Sequence, residues 1–286
     1  MSALEKQSDH RHWPASLHLE LALQSGCTRL VRNRHLGPLR IQRPFHPEAS
    51  DCAHLYVLHP PGGLVSGDDL RLTVDAGAST RSLITTPSAG KIYHVASTGE
   101  RQRQTTHITL AKGSQLEWLP QDNIVFDGAL GELGLRVDLA SDSRFFGWEI
   151  TCLGRAAGAH PFRKGALLQR LELYRDGKPW LLERTPLRAT ADILNSPWGL
   201  RGQTVFATAI ATLTHLGPDQ QKHALDLARE QLGQTCAGVT LTRELLIARL
   251  LGDDSETVRN QLIRFWWALR PLVFDRPACA PRIWAT

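Results

Sequence analysis

The sequence predicts a mainly β protein: a body of many short strands followed by a small helical C-terminal region. Three observations predict it. From Leu17 to about His215, short apolar runs are separated by Gly, Pro, Asn and Asp at close spacing, the pattern of strands joined by turns. After Gly217-Pro218 the apolar residues fall into helical spacing instead. Pro60-Pro-Gly-Gly-Leu-Val-Ser-Gly-Asp68, Thr85-Thr-Pro-Ser-Ala-Gly-Lys-Ile-Tyr93 and Leu116-Glu-Trp-Leu-Pro-Gln-Asp122 supply Pro, Gly, acidic and aromatic residues. A β framework needs those at its strand ends, for tight turns and charged rims.

Taken in order, residues 1–16 are rich in charge and His with little to bury, and are expected to form a mobile tail. Residues 17–217 form the β-rich body. Within it Leu133, Leu135, Val137 and Leu139 alternate with Gly134, Arg136 and Asp138, a half-buried strand. Leu171 and Leu173 alternate with Glu172 and Tyr174, and Asp176-Gly177 then turns the chain into Trp180, Leu181 and Leu182, a hairpin. Asp75-Ala-Gly77-Ala and Lys112-Gly113-Ser separate two further pairs of apolar runs. Residues 218–286 are read as a helical region packed on the same domain. Its first helix carries Leu225, Ala228 and Leu232 and ends at Gly233. Thr242 is expected to cap a second, carrying Leu245, Leu246, Arg249 and Leu250 and closed by Gly252. The third runs from about Asp254 through Val258, Leu262, Phe265, Trp266 and Leu269 and is expected to stop near Pro271. No repeat of fixed period is visible.

At 286 residues and 42% hydrophobic composition, the chain can bury a large core as one domain or two. A formal charge of +5 with only 21% charged residues, and no run of five Lys/Arg, argues against nucleic acid and for encounter with an acidic protein. Cys27, Cys52, Cys152, Cys236 and Cys279 are far apart and odd in number. They fit reduced thiols in a cytosol better than a disulfide framework or a structural zinc site. Met1 to His12 lacks the apolar stretch of a secretory signal. No apolar segment reaches the roughly 18 residues that span a bilayer. The expectation is a cytoplasmic protein with no membrane contact.

Candidate chemistry is sparse. Gly62-Gly63-Leu-Val-Ser-Gly67-Asp68 resembles a phosphate loop, but lacks the Gly-Lys-Ser/Thr ending and precedes the alternating Leu70-Arg-Leu-Thr-Val74, so a turn between strands is favoured. His54 and His59 lie five apart on one expected strand and point to opposite faces, so they do not chelate one metal without a bulge. His10, His12 and His18 can hold an ion loosely, and a solvated tail is the simpler account. No Gly-x-Ser-x-Gly elbow frames a serine nucleophile. Cys152 reads as a small buried hydrophobe and Lys91 as a strand-edge lysine. Adjacent Trp266 and Trp267 point about 100° apart on a helix, so part of the pair is available to a partner. Glu117 projects opposite Leu116 and Trp118, and solvent is its favoured environment. On a polar internal channel, Glu117, Asp122 or Asp127 would instead be a weak oxygen site for a divalent cation.

Five ordered stretches carry a family resemblance: Gly37-Pro-Leu-Arg-Ile-Gln-Arg-Pro-Phe45, Leu58 to Asp68, Thr85 to Tyr93, Leu116 to Asp122, and Gly147-Trp-Glu-Ile150 with Leu153-Gly-Arg155. They resemble the motifs of the urease accessory protein UreD, also called UreH, over most of residues 29 to 184. Two departures stand out: His94 replaces an expected Arg, and Gly158-Ala-His-Pro-Phe162 replaces Gly-Glu-x-Phe. The resemblance implies a β-helical or stacked-sheet body and a scaffold, not an enzyme. It implies a nickel-insertion chaperone that binds UreF, through it the GTPase UreG, and the urease apoprotein. Nickel is then in transit, with no tightly bound cofactor.

On that resemblance Asp68, Glu117, Asp122 and His160 are candidates for a transient nickel path, with Arg43 and Lys91 as orienting charges. Arg259, Leu262, Phe265, Trp266 and Trp267 are the candidate partner surface. Pro61, Gly62, Gly63, Gly67, Lys91, Tyr93, Trp118 and Pro120 are structural motif positions. Two other readings stay open: a β-helical carbohydrate-active enzyme, which needs paired carboxylates, and a metal-independent adaptor.

Overall fold

Alternation of apolar and polar residues, read strand by strand, builds two face-to-face sheets and a short third ladder. The structure is a computed structural model and describes residues 12–285 apart from 97–98, 156–157, 159 and 234–235. The first sheet is built from β1 (Trp13–Gln24), β2 (Cys27–Leu36), β5 (Asp68–Ala76), β8 (Gln102–Leu110), β11 (Leu130–Leu139), β14 (Ala166–Arg175) and β15 (Lys178–Arg188), in the order β15-β14-β11-β8-β5-β1-β2. The second contains β3 (Arg40–Ile41), β4 (Cys52–Leu58), β6 (Arg81–Thr85), β9 (Gln115–Trp118), β12 (Arg144–Arg155), β16 (Val205–Thr212), β17 (Ala237–Thr242) and β18 (Leu245–Gly252). Short β7 (Gly90–Ile92), β10 (Asn123–Val125) and the end of β12 form the third ladder, and β13 (His160–Pro161) pairs with the same end.

The chain visits these layers in turn, and successive visits pair in parallel. Leu17, Leu72, Thr106, Leu135 and Leu171 stack in the first sheet. Leu55, Ile84, Trp118 and Gly147 stack in the second, and Leu64, Ile92, Val125 and Leu153 in the third. This is a β-helical body, as the resemblance implied. Its steps are unequal, Leu72 to Thr106 being longer than Thr106 to Leu135, which is why no fixed period marks the sequence. The inward residues of the two sheets form one core, and antiparallel neighbours close the stack at both ends.

The expected hairpin at Asp176-Gly177 is present, both residues taking positive φ of 49° and 73°, as a two-residue turn requires. The second expected helix is not: residues 237–252 are the hairpin β17–β18. Arg243 and Glu244 occupy the left-handed region at φ 48° and 64°, the primed-turn geometry. Leu245 and Ile247 enter the core between the sheets while Leu246, Ala248 and Leu250 enter the core on the other face. A strand buried on both faces reads as a continuous apolar run, and that run imitates helical spacing. At the N-terminus, β1 begins at Trp13, so Trp13 to Ser16 belong to the sheet. Residues 1–11, including His10, lie outside the described residues.

Two α-helices cover the outer face of the second sheet: α1 (Pro218–Leu232), ended by Gly233, and α2 (Ser255–Phe274). Neither is long and apolar enough to cross a membrane. Asp254 caps α2 by accepting the Thr257 N–H at 2.7 Å. The helix runs past Pro271 instead of stopping there. Proline withholds one N–H and its ring here lies on the exposed side, so one more turn forms before Asp275 closes the helix in the left-handed region at φ 56°.

Arg270 of α2 is fully buried and fastens the helix to the body. Its guanidinium donates to Glu117 Oε1 at 2.8 Å and to Glu48 Oε1 at 2.6 Å, and also reaches the Pro277 carbonyl. Trp266 Nε1 donates to Glu117 Oε2 at 2.5 Å, and His54 Nε2 stands 2.8 Å from Glu48 Oε1. Burial alone would raise the Glu48 carboxyl, but hydrogen bonds from His54 and Arg270, with the Arg270 charge, bring it down to about 2. Glu117 therefore does not face solvent; it is 3% exposed, in a strand buried on both sides.

Replacing Arg270 with Met strands two buried carboxylates, so we expect a loss of about 3–5 kcal/mol in urea denaturation. A loss under about 1 kcal/mol would show that the network does not hold α2. Because folding lowers the Glu48 pKa, its stabilisation is present above pH 4.5 and is lost as pH falls towards about 2.

Candidate functional site

The three Pro/Gly-rich stretches stack at one corner of the body, where the second sheet gives way to the third ladder. Gly62 and Gly67 take φ of 76° and 86°, which only glycine adopts cheaply. Gly63 lies against the next coil: a Cβ there would stand 2.4 Å from the Tyr93 ring and 2.9 Å from the Lys91 carbonyl. The contact is sealed by Leu64 N–H to Lys91 O at 2.7 Å and Tyr93 N–H to Leu64 O at 3.0 Å. One coil further, Gly90 donates to Asp122 O at 2.9 Å and Gln121 N–H donates to Thr86 Oγ1 at 2.9 Å. Trp148 Nε1 donates to Pro120 O at 2.8 Å. The motifs are thus consecutive corners of one stack, and the Gly62–Asp68 loop is a turn between strands, as its sequence context predicted.

Behind these corners lies a central cavity of about 320 Å³. Leu39, Val57, Leu64, Leu72 and Trp118 make its apolar wall, and His59, Gln104, Thr106, Gln121, Asn123 and Glu149 its polar groups. Glu149 accepts the Trp118 Nε1–H at 2.8 Å. Enclosure by protein atoms pushes its carboxyl up to about 7, with the Trp118 bond opposing. It nevertheless keeps some accessible surface, because it faces the cavity. Burial likewise lowers the His59 imidazole, against the pull of the Asp68 charge.

Two further cavities abut the central one. On one side a surface groove of about 420 Å³, lined by Trp13, Pro61, Val65, Asp68 and Tyr93, shares His59 and Leu70 with it. On the other a cavity of about 260 Å³, lined by Asp122, Glu256, Arg259 and Trp284, shares Gln121 and the Pro87-Ser88-Ala89 turn. Arg259 reaches Gln121 Oε1 at that boundary. Asp68 lines the first of these spaces, Glu149 the central one and Asp122 the third.

Of the predicted acids, Asp68 lines the surface groove, where its Oδ2 accepts the Val65 N–H at 2.8 Å, and Asp122 lines the smallest of the three spaces. Glu117 lies outside these cavities, with its oxygens held by Arg270 and Trp266. His160 is exposed in β13 opposite Arg155 and lines none of the three. Of the predicted partner residues, Leu262, Phe265 and Trp266 are fully buried. Packing of the apolar face of α2 on the sheet consumes them, and Trp267, 52% exposed, is the aromatic left at the surface. Asp127 Oδ1 accepts the Arg163 and Lys164 N–H groups of the segment that leads into β14. Arg43 lies over the Phe45 ring.

Glu149 and Arg270 were missed by sequence reasoning. Glu149 sits in the quoted Gly147-Trp-Glu-Ile stretch, where a carboxylate interrupting the near-continuous apolar run of β12 was the available signal. Metal-ligand types also meet at Glu48, Cys52 and His54, with ligand atoms within 4.8 Å. There Arg270 already holds Glu48, and burial, with the Glu48 and Glu117 charges, drives the Cys52 thiol far up. That cluster is a structural hub. His18, Glu20 and Asp75 form a second such group, half-buried, with His18 Nε2 2.7 Å from Asp75.

Comparison with known proteins is consistent along the whole chain. The sequence model of the UreD urease accessory protein family matches residues 14–285. A protein of Saccharophagus degradans named urease accessory protein UreD is 42% identical over 284 residues, 98% of this chain and 96% of the relative. Proteins of the same name from Hahella chejuensis and Marinobacter nauticus are 41% and 43% identical, over 96% of this chain and 91% and 94% of the relatives.

Because folding raises the Glu149 pKa above the ordinary 4.5, its contribution to stability is full below pH 4.5, falls as pH rises towards about 7, and is level above. The urea midpoint is expected to fall across that window, and Glu149→Gln to abolish that part of the fall. An unchanged profile in the variant would show that Glu149 ionises freely.

Proposed function

This chain belongs to the UreD urease accessory protein family, and from that premise we propose that it is the scaffold which conducts nickel into apo-urease during urease maturation. It does so together with UreF and the GTPase UreG, docked on the apoprotein. The role is that of an accessory protein in urease maturation. The observation that supports the finer reading is three neighbouring cavities that share lining residues in pairs and each present a carboxylate, Asp68, Glu149 and Asp122 respectively.

A conduit for an ion of high intrinsic affinity must bind weakly at each stage, since a tight thiolate site would trap it. The lining favours that behaviour. Its cation-capable groups are the carboxylates of Asp68, Glu149, Asp122 and Glu256 and the His59 imidazole, and none of the five cysteines lines these cavities. A carbohydrate-cleaving reading is less well supported, because the central cavity has one carboxylate where acid and base would each need one.

Co-expression of urease and the remaining accessory proteins, with and without this chain, tests the role. Urease is expected to be inactive and nickel-poor by elemental analysis only when the chain is absent; equal nickel and activity would overturn it. Asp68→Ala and Asp122→Ala are then expected to lower nickel loading while UreF still co-purifies. Full loading in both variants would leave a metal-independent adaptor, and loss of UreF binding would mean that they damage the interface.

A further inference from the structure

Residues 27–47 run along one flank of the body, where both sheets end: β2 is the last strand of the first sheet and β3 of the second. This stretch carries Arg29, Arg32, Arg34, Arg40 and Arg43, with His35 and His46, and no acidic residue. The register of β2 on β1 sets Arg29, Arg32, Arg34 and Leu36 opposite Ala22, Glu20, His18 and Ser16. Directly opposed residues share a face, so the three arginines and Leu36 line the outer face of the edge strand. Arg32 Nε stands 3.1 Å from Glu20 Oε1. Among the described residues no carboxylate pairs with Arg29 or Arg34. Arg40 turns back to the Gly37 and Leu39 carbonyls, and Arg43 lies over the Phe45 ring. Every residue from Val31 to Gly37 is exposed, Val31 at 47% and Leu36 at 60%.

The opposite flank is closed. There β15 carries Pro179 and Pro186, which withhold ladder N–H groups, and Glu183 accepts from Arg249 of the β17–β18 hairpin while Trp180 Nε1 donates to Arg243 O at 2.9 Å. β2 holds no proline, and its backbone is covered only at Thr28, whose N–H goes to Ser50 O at 3.1 Å among the described residues. Charge excludes a second copy of this edge, since arginine would meet arginine. A polyanion or an anionic bilayer answers the charge alone. An extended acidic polypeptide answers the charge, the open backbone edge and the exposed Leu36 together. We propose that β2 is a docking strand for an acidic extended segment of a partner protein. The segment adds to the first sheet beyond β2, with carboxylates beside Arg29 and Arg34 and an apolar residue beside Leu36. This docking holds whether or not nickel passes through the body.

The probe is a short synthetic peptide alternating Glu with Val, titrated into the full-length chain. Its binding is expected to slow hydrogen exchange of the backbone amides of residues 29–36 and to weaken as salt rises. Arg29→Glu combined with Arg34→Glu is expected to weaken it by about tenfold or more, by removing two charge contacts and adding repulsion. Arg184→Glu, at an exposed position on the closed edge β15, is expected to leave it unchanged. The same peptide methylated at its backbone nitrogens keeps its charge, loses its donors and is expected not to bind. Equal affinity in the Arg29→Glu/Arg34→Glu chain, with unchanged circular dichroism, would overturn the docking strand, as would protection that falls outside residues 29–36. Equal binding of the methylated peptide would show bare charge attraction and overturn it too. So would arginine-dependent binding to phosphatidylglycerol vesicles without peptide binding, which would make the strip a membrane contact. A dimer in sedimentation that the double variant converts to monomer would place a second copy on this edge and likewise overturn the proposal.

Discussion

Burying Arg270 is the constraint on which the rest of the arrangement depends. A guanidinium with no exposure must find charge and acceptors inside the protein. It finds them on two separate elements, Glu117 of β9 and Glu48 of the loop before β4. Hydrophobic packing of α2 through Leu262, Phe265 and Leu269 is non-directional and would tolerate sliding along the sheet. The forked geometry of Arg270 between two carboxylates does not. It sets the register of the helix, and with it the position of Arg259 against Gln121 at the edge of the central cavity.

The same network explains where metal chemistry is and is not available. Glu48, Cys52 and His54 have ligand atoms close together, yet Arg270 and Arg276 face the Glu48 carboxylate, and a cation would have to displace them. Along the cavities the balance is reversed. Among the described residues, Asp68, Glu149 and Asp122 form no ion pair with arginine or lysine, and Glu149 accepts the Trp118 indole N–H. Acidic groups already neutralised serve structure, and those left unneutralised beside space are the ones able to meet a moving cation.

β-helical construction supplies that space. Each coil turns the same corner, and the corner residues must leave room both for the next coil and for the interior. Gly63 against Tyr93 and Gly90 against Asn123 are two such places. Parallel stacking places the motif of one coil directly over that of the next. Three stretches separated in the chain thereby become one wall.

Much of this was legible in the sequence, and the boundary falls along physical lines. Period-two alternation in Leu133 to Leu139, the Asp176-Gly177 turn, and Gly233 at a helix end identify local structure, because each depends only on neighbours in the chain. Residues 245–252 misled for the complementary reason: a strand apolar on both faces carries no alternation, and its two cores are contributed by other elements. Recognisable motif wording put Asp68 and Asp122 among the candidates. That they line cavities, while Glu117 between them in the chain points instead at Arg270, was decided by tertiary packing. Pairing across 153 residues of separation leaves no local trace. The β body, its turns and the family are written in local pattern and motif wording; which acids are bound to arginine and which face open space is not, because burial and partner choice are properties of the assembled coils.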